Sequence, residues 1–421
     1  MNEVISIEDA VREIVQACPC DPAAGEVRPF VFIVGAGIST PSVPLSSEIE
    51  DLCRKKAETD GVGFPPTSFT PAQRYSYWFA KAYPHPAQRQ RFLKNLIDKK
   101  PITFANFRLA QLLMSRRLGN FAITTNFDDF LSRALSVFGE ESVLVCDDPS
   151  VVNRLDLAGD GLQIIHVHGT YRFYDLANLT PEIEGRAQAA PDTVMTMLSA
   201  LDTVFRDHSP IVLGYAGWEN DVVMSALRRR LNATLPYRMY WFCHRRSVVT
   251  SLPSWLTRHR EVVLCAPPET PESGEASQSP GDGIEALDRS KPESECPSES
   301  RAEAISDDNK DTLDAHVVLD RLISRLGLEA PALLRDPLGF FADRIGKSLP
   351  EEGANPTGDE AFSFASVIGS VNKARKLLQR ATAASGHAET LLERVKDAVR
   401  RSDYETALRT AQNISVEDLD E

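Results

Sequence analysis

The sequence predicts an α/β fold with a doubly wound parallel sheet and a helical insertion, followed by a smaller all-helical C-terminal region. Up to residue 266, short apolar runs rich in β-forming residues alternate with longer segments whose apolar residues recur every three to four positions. Strands that alternate with amphipathic helices are typical of a parallel sheet whose faces are covered by helices. From residue 329 onward only the helical spacing continues.

The β-forming runs are predicted as strands by their length and composition. They are Phe30–Val34, Phe121–Thr125, Ser142–Cys146, Leu162–Val167, Ile211–Tyr215, Met239–Cys243 and Glu261–Cys265. The segments with helical spacing are Ile49–Ala57, Phe104–Arg117, Asp129–Phe138, Thr193–Phe205, Asn220–Leu231 and Leu313–Leu326. We expect the last of these helices to pair with the last strand and to close the sheet.

An acidic segment, Pro267–Asp311, separates that last strand from its helix. It contains six prolines, eight serines and 13 acidic residues but only four basic ones. The segment has few large apolar residues, and burying them cannot offset the entropy cost of ordering the chain,. We therefore predict a disordered insertion within a first domain of residues 1–327, because long loops add closure entropy only slowly.

Residues 328–421 are predicted to form a helical region for assembly or partner docking. The predicted helices there are Pro337–Ile345, Glu360–Ala384, His387–Arg401 and Tyr404–Gln412. Their apolar stripes indicate packing surfaces, but they supply none of the polar strand ends that ligand chemistry requires.

Composition excludes several classes of protein. The 421 residues include 46 Lys and Arg against 60 Asp and Glu, which gives a formal net charge of −14. This excess of acidic residues does not favour direct binding to nucleic acid, which is itself negatively charged. No apolar run is suited to spanning a membrane, and the chain does not begin with a secretory signal. We expect a cytoplasmic protein that binds no membrane.

The seven cysteines are widely scattered and include no C-x-x-C pair. This spacing predicts neither a disulfide framework nor a four-cysteine zinc site. We expect the protein to use no metal.

The strongest motif is the passage FVFIVGAGIST, in which the strand Phe30–Val34 runs into Gly35-Ala36-Gly37. Glycines let the backbone approach a pyrophosphate closely, and amides at the following turn can donate to anionic oxygens. An ordinary strand-to-helix turn would give the same short motif, so further strand ends are needed to separate the two interpretations.

Polar residues and glycines also follow three other predicted strands. These strand ends are TTNFD at residues 124–128, HVHG at residues 166–169 and GYAGW at residues 214–218. Open α/β sheets bind their ligands at the carboxyl ends of the strands. The four strand ends therefore favour one shared ligand site.

In order and spacing, these four motifs resemble those of the sirtuin superfamily, over roughly residues 28–327. The resemblance implies a Rossmann-like site for NAD⁺. It places around the pyrophosphate Gly35, Ala36, Gly37 and Ile38. It also implies nucleotide contacts from the last motif, at Gly214 and Tyr215.

The same resemblance implies catalytic roles for Asn126 and His168, with Asp128 near the nicotinamide ribose and carboxamide. Cleavage of the nicotinamide glycosidic bond passes through an oxocarbenium-like ribose, which a neutral amide can orient. An unprotonated imidazole can serve as the base at neutral pH. His166 is the rival base, and we expect it to be a packing residue; a core histidine remains the alternative for His168 as well.

Departures from the deacylases of the superfamily narrow the expected activity. Those enzymes carry a small zinc module with two C-x-x-C pairs after the catalytic histidine, whereas no cysteine lies between Cys146 and Cys243. The phenylalanine-arginine pair that follows their first motif is also missing. The passage GYAGWENDVV resembles instead the bacterial sirtuin-like effectors that hydrolyse NAD⁺ in defence against phage. In it, Asp221 could bind ribose or simply cap a helix.

We therefore expect an NAD⁺ glycohydrolase that releases nicotinamide and ADP-ribose. A non-catalytic sensor or scaffold that binds NAD⁺ or ADP-ribose is the alternative, and a deacylase or ADP-ribosyltransferase is a third. An NAD⁺-depleting enzyme needs an inactive state, which a homo-oligomer or a separate partner could impose. The resemblance implies a DNA-translocating ATPase as one such partner.

A cluster of aromatic residues lies between the first two motifs, at Tyr75, Tyr77, Trp78, Phe79 and Tyr83. It could form a helical lid over the site or the core of a helical subdomain.

Overall fold

The structure, a computed structural model, describes residues 4–18, 28–188, 196–268, 312–348, 369–370, 372–374 and 376–377. The chain divides into two units, Met1–Leu328 and Glu329–Glu421. The acidic segment from residue 269 to residue 311 lies outside the described residues, as do the predicted helices His387–Arg401 and Tyr404–Gln412.

A parallel sheet forms the centre of the first unit. Its strands are β1 (Val4–Ile5), β2 (Phe30–Val34), β3 (Phe121–Thr124), β4 (Val143–Cys146), β5 (Leu162–His166), β6 (Ser209–Leu213), β7 (Met239–Phe242) and β8 (Val262–Cys265). They are arranged in the order β1-β8-β7-β6-β2-β3-β5-β4. The predicted doubly wound, Rossmann-like α/β fold is confirmed, and β1 is an additional edge strand.

The sheet reverses its winding next to β2, which pairs with β3 on one side and with β6 on the other. A crevice forms outside the carboxyl ends of the strands at such a switch point. All five residues of β2 are buried, as expected for a central parallel strand covered on both faces. Each fully buried aliphatic side chain there contributes roughly 1.5–3 kcal/mol.

Helices cover both faces of this sheet. They are α1 (Ile7–Gln16), α2 (Ser46–Thr59), α3 (Pro71–Ala82), α4 (Pro86–Ile97), α5 (Phe104–Ser115), α6 (Phe130–Val137), α7 (Thr180–Gln188), α8 (Met197–Asp207), α9 (Val222–Arg230), α10 (Arg246–Val249), α11 (Ser254–Thr257) and α12 (Ala315–Arg325). The predicted amphipathic helices correspond to α2, α5, α6, α8, α9 and α12. Caps set some of their starts: Thr196 accepts a hydrogen bond from the Ser199 amide and begins α8,.

The inserted helices α2, α3 and α4 share a core of their own. Trp78 and Phe79 are buried there against Cys53, Ala57 and Leu93. The aromatic segment therefore forms the core of a helical subdomain, as one of the two interpretations expected.

Helix α12 follows the acidic segment and packs on α5 and α1 of the first unit. The Leu313 amide donates to the His244 carbonyl oxygen at 2.7 Å, and Arg117 Nη1 donates to the Leu326 carbonyl oxygen at 2.6 Å. These bonds join both ends of α12 to the sheet domain.

In the second unit the structure describes α13 (Ala332–Arg335) and α14 (Pro337–Ser348). The Gly339 amide donates to Asp336 Oδ1 at 2.9 Å at the start of α14. The described residues from 369 to 377 are helical and lie inside the predicted helix Glu360–Ala384. Among the helices that the structure describes, none is both long and apolar enough to cross a membrane.

Candidate active site

A cavity of about 500 Å³ lies at the carboxyl ends of the central strands. Its lining includes Ala36 and Gly37 after β2, Asn126 after β3, His168 after β5 and Gly214 after β6. Small-molecule sites commonly have volumes of roughly 300–1,000 Å³. The strand ends that the sequence singled out therefore meet at one cavity of suitable size.

The turn after β2 packs directly on the turn after β6. A Cβ atom on Gly35 would lie 2.6 Å from the Gly214 carbonyl oxygen, and a Cβ on Gly37 would lie 2.7 Å from Gly214 Cα. Gly214 itself has φ +63°, a left-handed conformation that favours glycine,. The three glycines are thus required by the contact of one turn with the other.

Most backbone amides of the first turn already donate hydrogen bonds within the protein. Gly35 and Gly37 donate to the carbonyl oxygens of Leu213 and Gly214, at 3.1 and 2.9 Å. The amides of Ile38 and Ser39 donate back to Gly35 and Ala36. Ala36 and Gly37 line the cavity, whereas Gly35 and Ile38 are buried within the turn. The predicted anion cradle is therefore narrower than the motif indicates, and its exposed part is the backbone at Ala36 and Gly37.

Two buried residues, the N-cap of α5 and a residue in its first turn, hold this turn in place. Thr103 Oγ1 donates to the Ile38 carbonyl oxygen at 2.5 Å, and Asn106 Nδ2 donates to the same oxygen at 3.1 Å. Sequence reasoning missed both residues. Their signal was a pair of polar side chains at the first turn of an otherwise apolar helix.

Asn126 is buried and firmly positioned. Its Nδ2 donates to the Gly35 carbonyl oxygen and to Ser39 Oγ, both at 3.1 Å. Its backbone amide donates to Thr124 Oγ1 at 3.0 Å. The side-chain amide is therefore fixed through its nitrogen, and Oδ1 remains as its hydrogen-bond acceptor at the cavity.

Asp128 also lines the cavity and is buried. Burial raises the pKa of its carboxyl to about 6, although hydrogen bonds from Ser39 and from the Phe130 amide act in the opposite direction,. The Phe130 amide lies 3.1 Å from Oδ1. A carboxyl of this kind is part protonated just below neutral pH and can then donate as well as accept hydrogen bonds.

His168 and Asp221 meet at the wall of the cavity. His168 Nε2 lies 3.2 Å from Asp221 Oδ1, and both side chains are almost fully buried, at 5% and 4% exposure. The Tyr215 hydroxyl donates to Asp221 Oδ2 at 2.6 Å, and the Val223 amide donates to Oδ1 at 3.2 Å. All the predicted residues of the last motif, Gly214, Tyr215 and Asp221, therefore lie at this wall, but the Asp221 oxygens are already bonded within the protein.

Electrostatics keeps this carboxylate charged. Burial acts to raise the pKa of Asp221, but the electrostatic interaction and hydrogen bond with His168, with the bonds from Tyr215 and Val223, outweigh it and lower the pKa. Burial and the neighbouring Asp221 raise the pKa of Tyr215, so its hydroxyl stays protonated. The group is therefore a buried anion with three donors around it.

His166 has a different position. Its Nδ1 donates to the Asn126 carbonyl oxygen at 3.0 Å, and burial lowers its pKa. It therefore supports the Asn126 loop from behind, while His168 is the histidine that lines the cavity.

Apolar side chains also line the cavity. Among them, the rings of Tyr75 and Trp218 lie 5.7 Å apart between centroids. Trp241, Leu313 just before α12, and Val318 of α12 line the cavity as well. The contribution of α12 has no sequence signal, because the apolar stripe of a packing helix looks the same whether or not it borders a cavity.

Among the described residues, no group of three or more His, Cys, Asp or Glu is arranged to hold a metal ion. Burial raises the pKa of the Cys243 thiol at the cavity wall to about 12.

Residues 120–262 match the family described as the SIR2-like domain. The match confirms the sirtuin-like resemblance, and its span includes Asn126, His168 and Asp221. Among solved structures, a Sir2 homologue in complex with NAD is 16% identical, covers 63% of this chain and 90% of its own, and has a TM-score of 0.31. A Sir2 variant with a deacetylated peptide and 3′-O-acetyl ADP-ribose is 15% identical, covers 62% and 93%, and has a TM-score of 0.31. Among curated proteins, none matches this chain.

Proposed function

Because the chain carries a SIR2-like domain over residues 120–262, we propose that it hydrolyses NAD⁺ at the nicotinamide–ribose bond. The observation that carries the proposal is the meeting of Asn126 and His168, from the ends of the adjacent strands β3 and β5, in one cavity with the Gly37 and Gly214 turns. A ribose held between the two side chains would have its pyrophosphate against the backbone of the turns.

The cavity suits an elongated ligand with a charged centre. The backbone at Ala36, Gly37 and Gly214 offers a close approach for a pyrophosphate,. The aromatic and aliphatic side chains that line the cavity offer surfaces for two flat rings,. Asp128 follows Asn126 by two residues and lines the same cavity, where it can bond the nicotinamide ribose or carboxamide.

The proposed reaction breaks the bond between the ribose C1′ and the nicotinamide nitrogen. Nicotinamide leaves with the electron pair of that bond, and the positive charge passes to the ribose as an oxocarbenium-like centre. Asn126 Oδ1 orients the ribose and the attacking water. His168 accepts a proton from a ribose hydroxyl as the charge develops. Water adds to C1′ and gives ADP-ribose, and one proton is released overall.

We further propose that this activity is regulated and that it depletes NAD⁺ in bacterial anti-phage defence, in the cytoplasm. Constant hydrolysis would harm the host cell, so an inactive state is required. A homo-oligomer or a separate partner such as a DNA-translocating ATPase would supply it through residues 329–421, where the described helix α14 carries the exposed Phe341.

A non-catalytic sensor of NAD⁺ or ADP-ribose is the second candidate. One observation favours it: His168 is almost completely buried and already paired with Asp221. A histidine of this kind can also be purely structural.

Incubation of the purified full chain with NAD⁺, with separate measurement of nicotinamide and ADP-ribose, tests the proposal. The matched control is the Asn126→Ala variant, with ADP-ribose binding measured by calorimetry for both proteins. We expect equal amounts of the two products from the wild type only. Binding without turnover in the wild type, with and without oligomer or partner, would identify a sensor instead.

A further inference from the structure

We propose that Asp221 is a positioning residue for His168: it holds the imidazole as the Nε2–H tautomer and thereby makes Nδ1 the nitrogen that accepts the proton. The inference deepens the proposed function and rests on it for the role of His168 as a base. It assigns Asp221 to the histidine and not to the ribose.

The tautomer follows from the chemistry of the two groups in contact. An ionised carboxylate only accepts hydrogen bonds, whereas a neutral imidazole has one donor nitrogen and one acceptor nitrogen. His168 Nε2 lies 3.2 Å from Asp221 Oδ1, so Nε2 must carry the hydrogen of that bond. The lone pair of the neutral ring is then on Nδ1.

The Asp221 carboxylate is held in one orientation by the protein, so it cannot bind a ribose hydroxyl in addition to His168. The residue is the N-cap of α9, with Oδ1 also accepting from the Val223 amide. Oδ2 accepts from the Tyr215 hydroxyl at 2.6 Å, and the Tyr215 ring packs on Trp241 with 5.7 Å between centroids. A carboxylate bound in this way is oriented by the fold before any ligand arrives.

The other nitrogen of the ring is left unpaired. In the part of the chain that the structure describes, His168 Nδ1 is buried and has no hydrogen-bond partner. A buried acceptor without a hydrogen-bond partner is unfavourable. His168 lines the cavity and Asp221 occupies Nε2, so Nδ1 is the ring nitrogen that remains for a ligand hydroxyl.

The proton balance of the step follows from this arrangement. A hydroxyl proton of the ribose moves to Nδ1, and the ring becomes an imidazolium whose Nε2–H stays bonded to Asp221. Asp221 keeps its negative charge and stabilises the new positive charge next to it. As water adds to C1′, one of its protons returns to the ribose oxygen, and the proton on Nδ1 is released to solvent, which restores the same tautomer.

Nitrogen-15 NMR of the full chain labelled at histidine tests the tautomer without NAD⁺ present. The His168 signals are assigned by their loss in His168→Gln. We expect the wild-type shifts to show a protonated Nε2 and an unprotonated Nδ1 at pH 8. A protonated Nδ1 in the wild type would overturn the proposal, and this result does not depend on the folding of any Asp221 variant.

Kinetics of Asp221→Asn test the consequence. The amide has the same size as the carboxylate, but its nitrogen can donate to Nε2 and stabilise the other tautomer. We therefore expect a mixture of the two His168 tautomers. We also expect kcat to be about 10- to 100-fold lower, with KM changed less than about threefold. The control Asp202→Asn removes a carboxylate that pairs with Arg229 at 2.7 Å on α8 and α9, and it should leave both constants unchanged. A raised KM with unchanged kcat would assign Asp221 to ribose and overturn the proposal.

The two measurements separate the proposals. NAD⁺ cleavage by a wild type whose His168 carries its proton on Nδ1 refutes the positioning role and leaves the hydrolase standing. Binding of NAD⁺ without turnover, with and without oligomer or partner, together with the expected tautomer refutes the hydrolase, and the assignment of Asp221 to the histidine stands.

Discussion

Gly37 and Gly214 are in backbone contact across two strand ends: the Gly37 amide donates to the Gly214 carbonyl oxygen at 2.9 Å. A Cβ on Gly37 would lie 2.7 Å from Gly214 Cα. Neither backbone can move far, because the turn is bonded to β6 on one side and to α5 on the other. The contact therefore fixes the floor of the cavity.

Gly37→Ala should consequently lower both stability and ligand affinity. Forcing a methyl group into this contact should reduce the free energy of unfolding by about 1–3 kcal/mol. Tryptophan fluorescence in a denaturant titration measures it, since Trp78, Trp218, Trp241 and Trp255 all lie in the first unit. Gly63→Ala is the matched control, because a Cβ there would meet nothing within 4 Å. Equal unfolding midpoints for the two variants would contradict the prediction.

Asn126→Ala and His168→Ala should each abolish NAD⁺ loss and leave the fold intact, although each removes a buried hydrogen-bonded side chain and should lower the unfolding midpoint,. One change removes the amide that orients ribose, and the other removes the base. His166→Ala should be milder, because that residue bonds the Asn126 carbonyl oxygen from behind. Turnover is measured as nicotinamide release. Should His166→Ala prove the more damaging of the two histidine changes, His168 is not the base.

Asp128→Asn should stabilise the protein at pH 8 more than at pH 4.5. The pKa of Asp128 rises from the ordinary 3.8 to about 6 on folding. As pH rises through this range the unfolded state loses its proton first, so the wild type loses stability between about pH 4 and 6, and an asparagine does not. The difference in free energy of unfolding between the proteins should grow by about 2 kcal/mol from pH 4.5 to pH 8. A pH-independent difference would place the carboxyl in a more solvated environment.

Replacement of Pro267–Asp311 by a short flexible linker should leave folding and NAD⁺ hydrolysis largely intact. The two ends of the deleted segment are close to the ends of neighbouring strands: the Cys243 amide donates to the Cys265 carbonyl oxygen, and the Leu313 amide donates to His244. The fluorescence unfolding midpoint and nicotinamide release measure the effect. Insoluble protein would show that the acidic segment is needed for the fold.

Truncation after Gly327 should change the mass in solution, measured by light scattering, or abolish partner binding. ADP-ribose binding should persist, since every described residue that lines the cavity precedes Leu328. A truncated chain with the full-length oligomeric state and unchanged regulation would assign residues 329–421 another role.

Local pattern was sufficient to predict most of the sheet. The apolar runs of β2 to β8 were long enough to be recognised as strands. Strand β1 consists of Val4 and Ile5 alone, which is too short to show a hydrophobic pattern,. Strand β6 ends at Leu213, two residues before the predicted end, because the left-handed Gly214 leaves the extended conformation,.

The candidate site was predictable only as a set of strand ends. Sequence order placed Asn126 and His168 at neighbouring ends, but it carries no signal for the contact of His168 with Asp221. Likewise, the glycine motif predicted contact with a phosphate. In the structure, the atom nearest to a Cβ built on Gly37 is the Cα of another glycine, Gly214. Pairings of this kind depend on tertiary structure, and no local spacing encodes them.

The outer edge of the sheet joins the two ends of the first unit, since Val4 pairs with Leu264 and α1 packs on α12. Pairing between such distant parts of a chain is slow, because a long loop must close before the contact stabilises it. During synthesis, the buried face of α1, formed by Ala10, Val11 and Ile14, stays uncovered until β8 and α12 have left the ribosome. The nascent chain therefore leaves this apolar face exposed until the domain closes, and during that interval aggregation competes with folding.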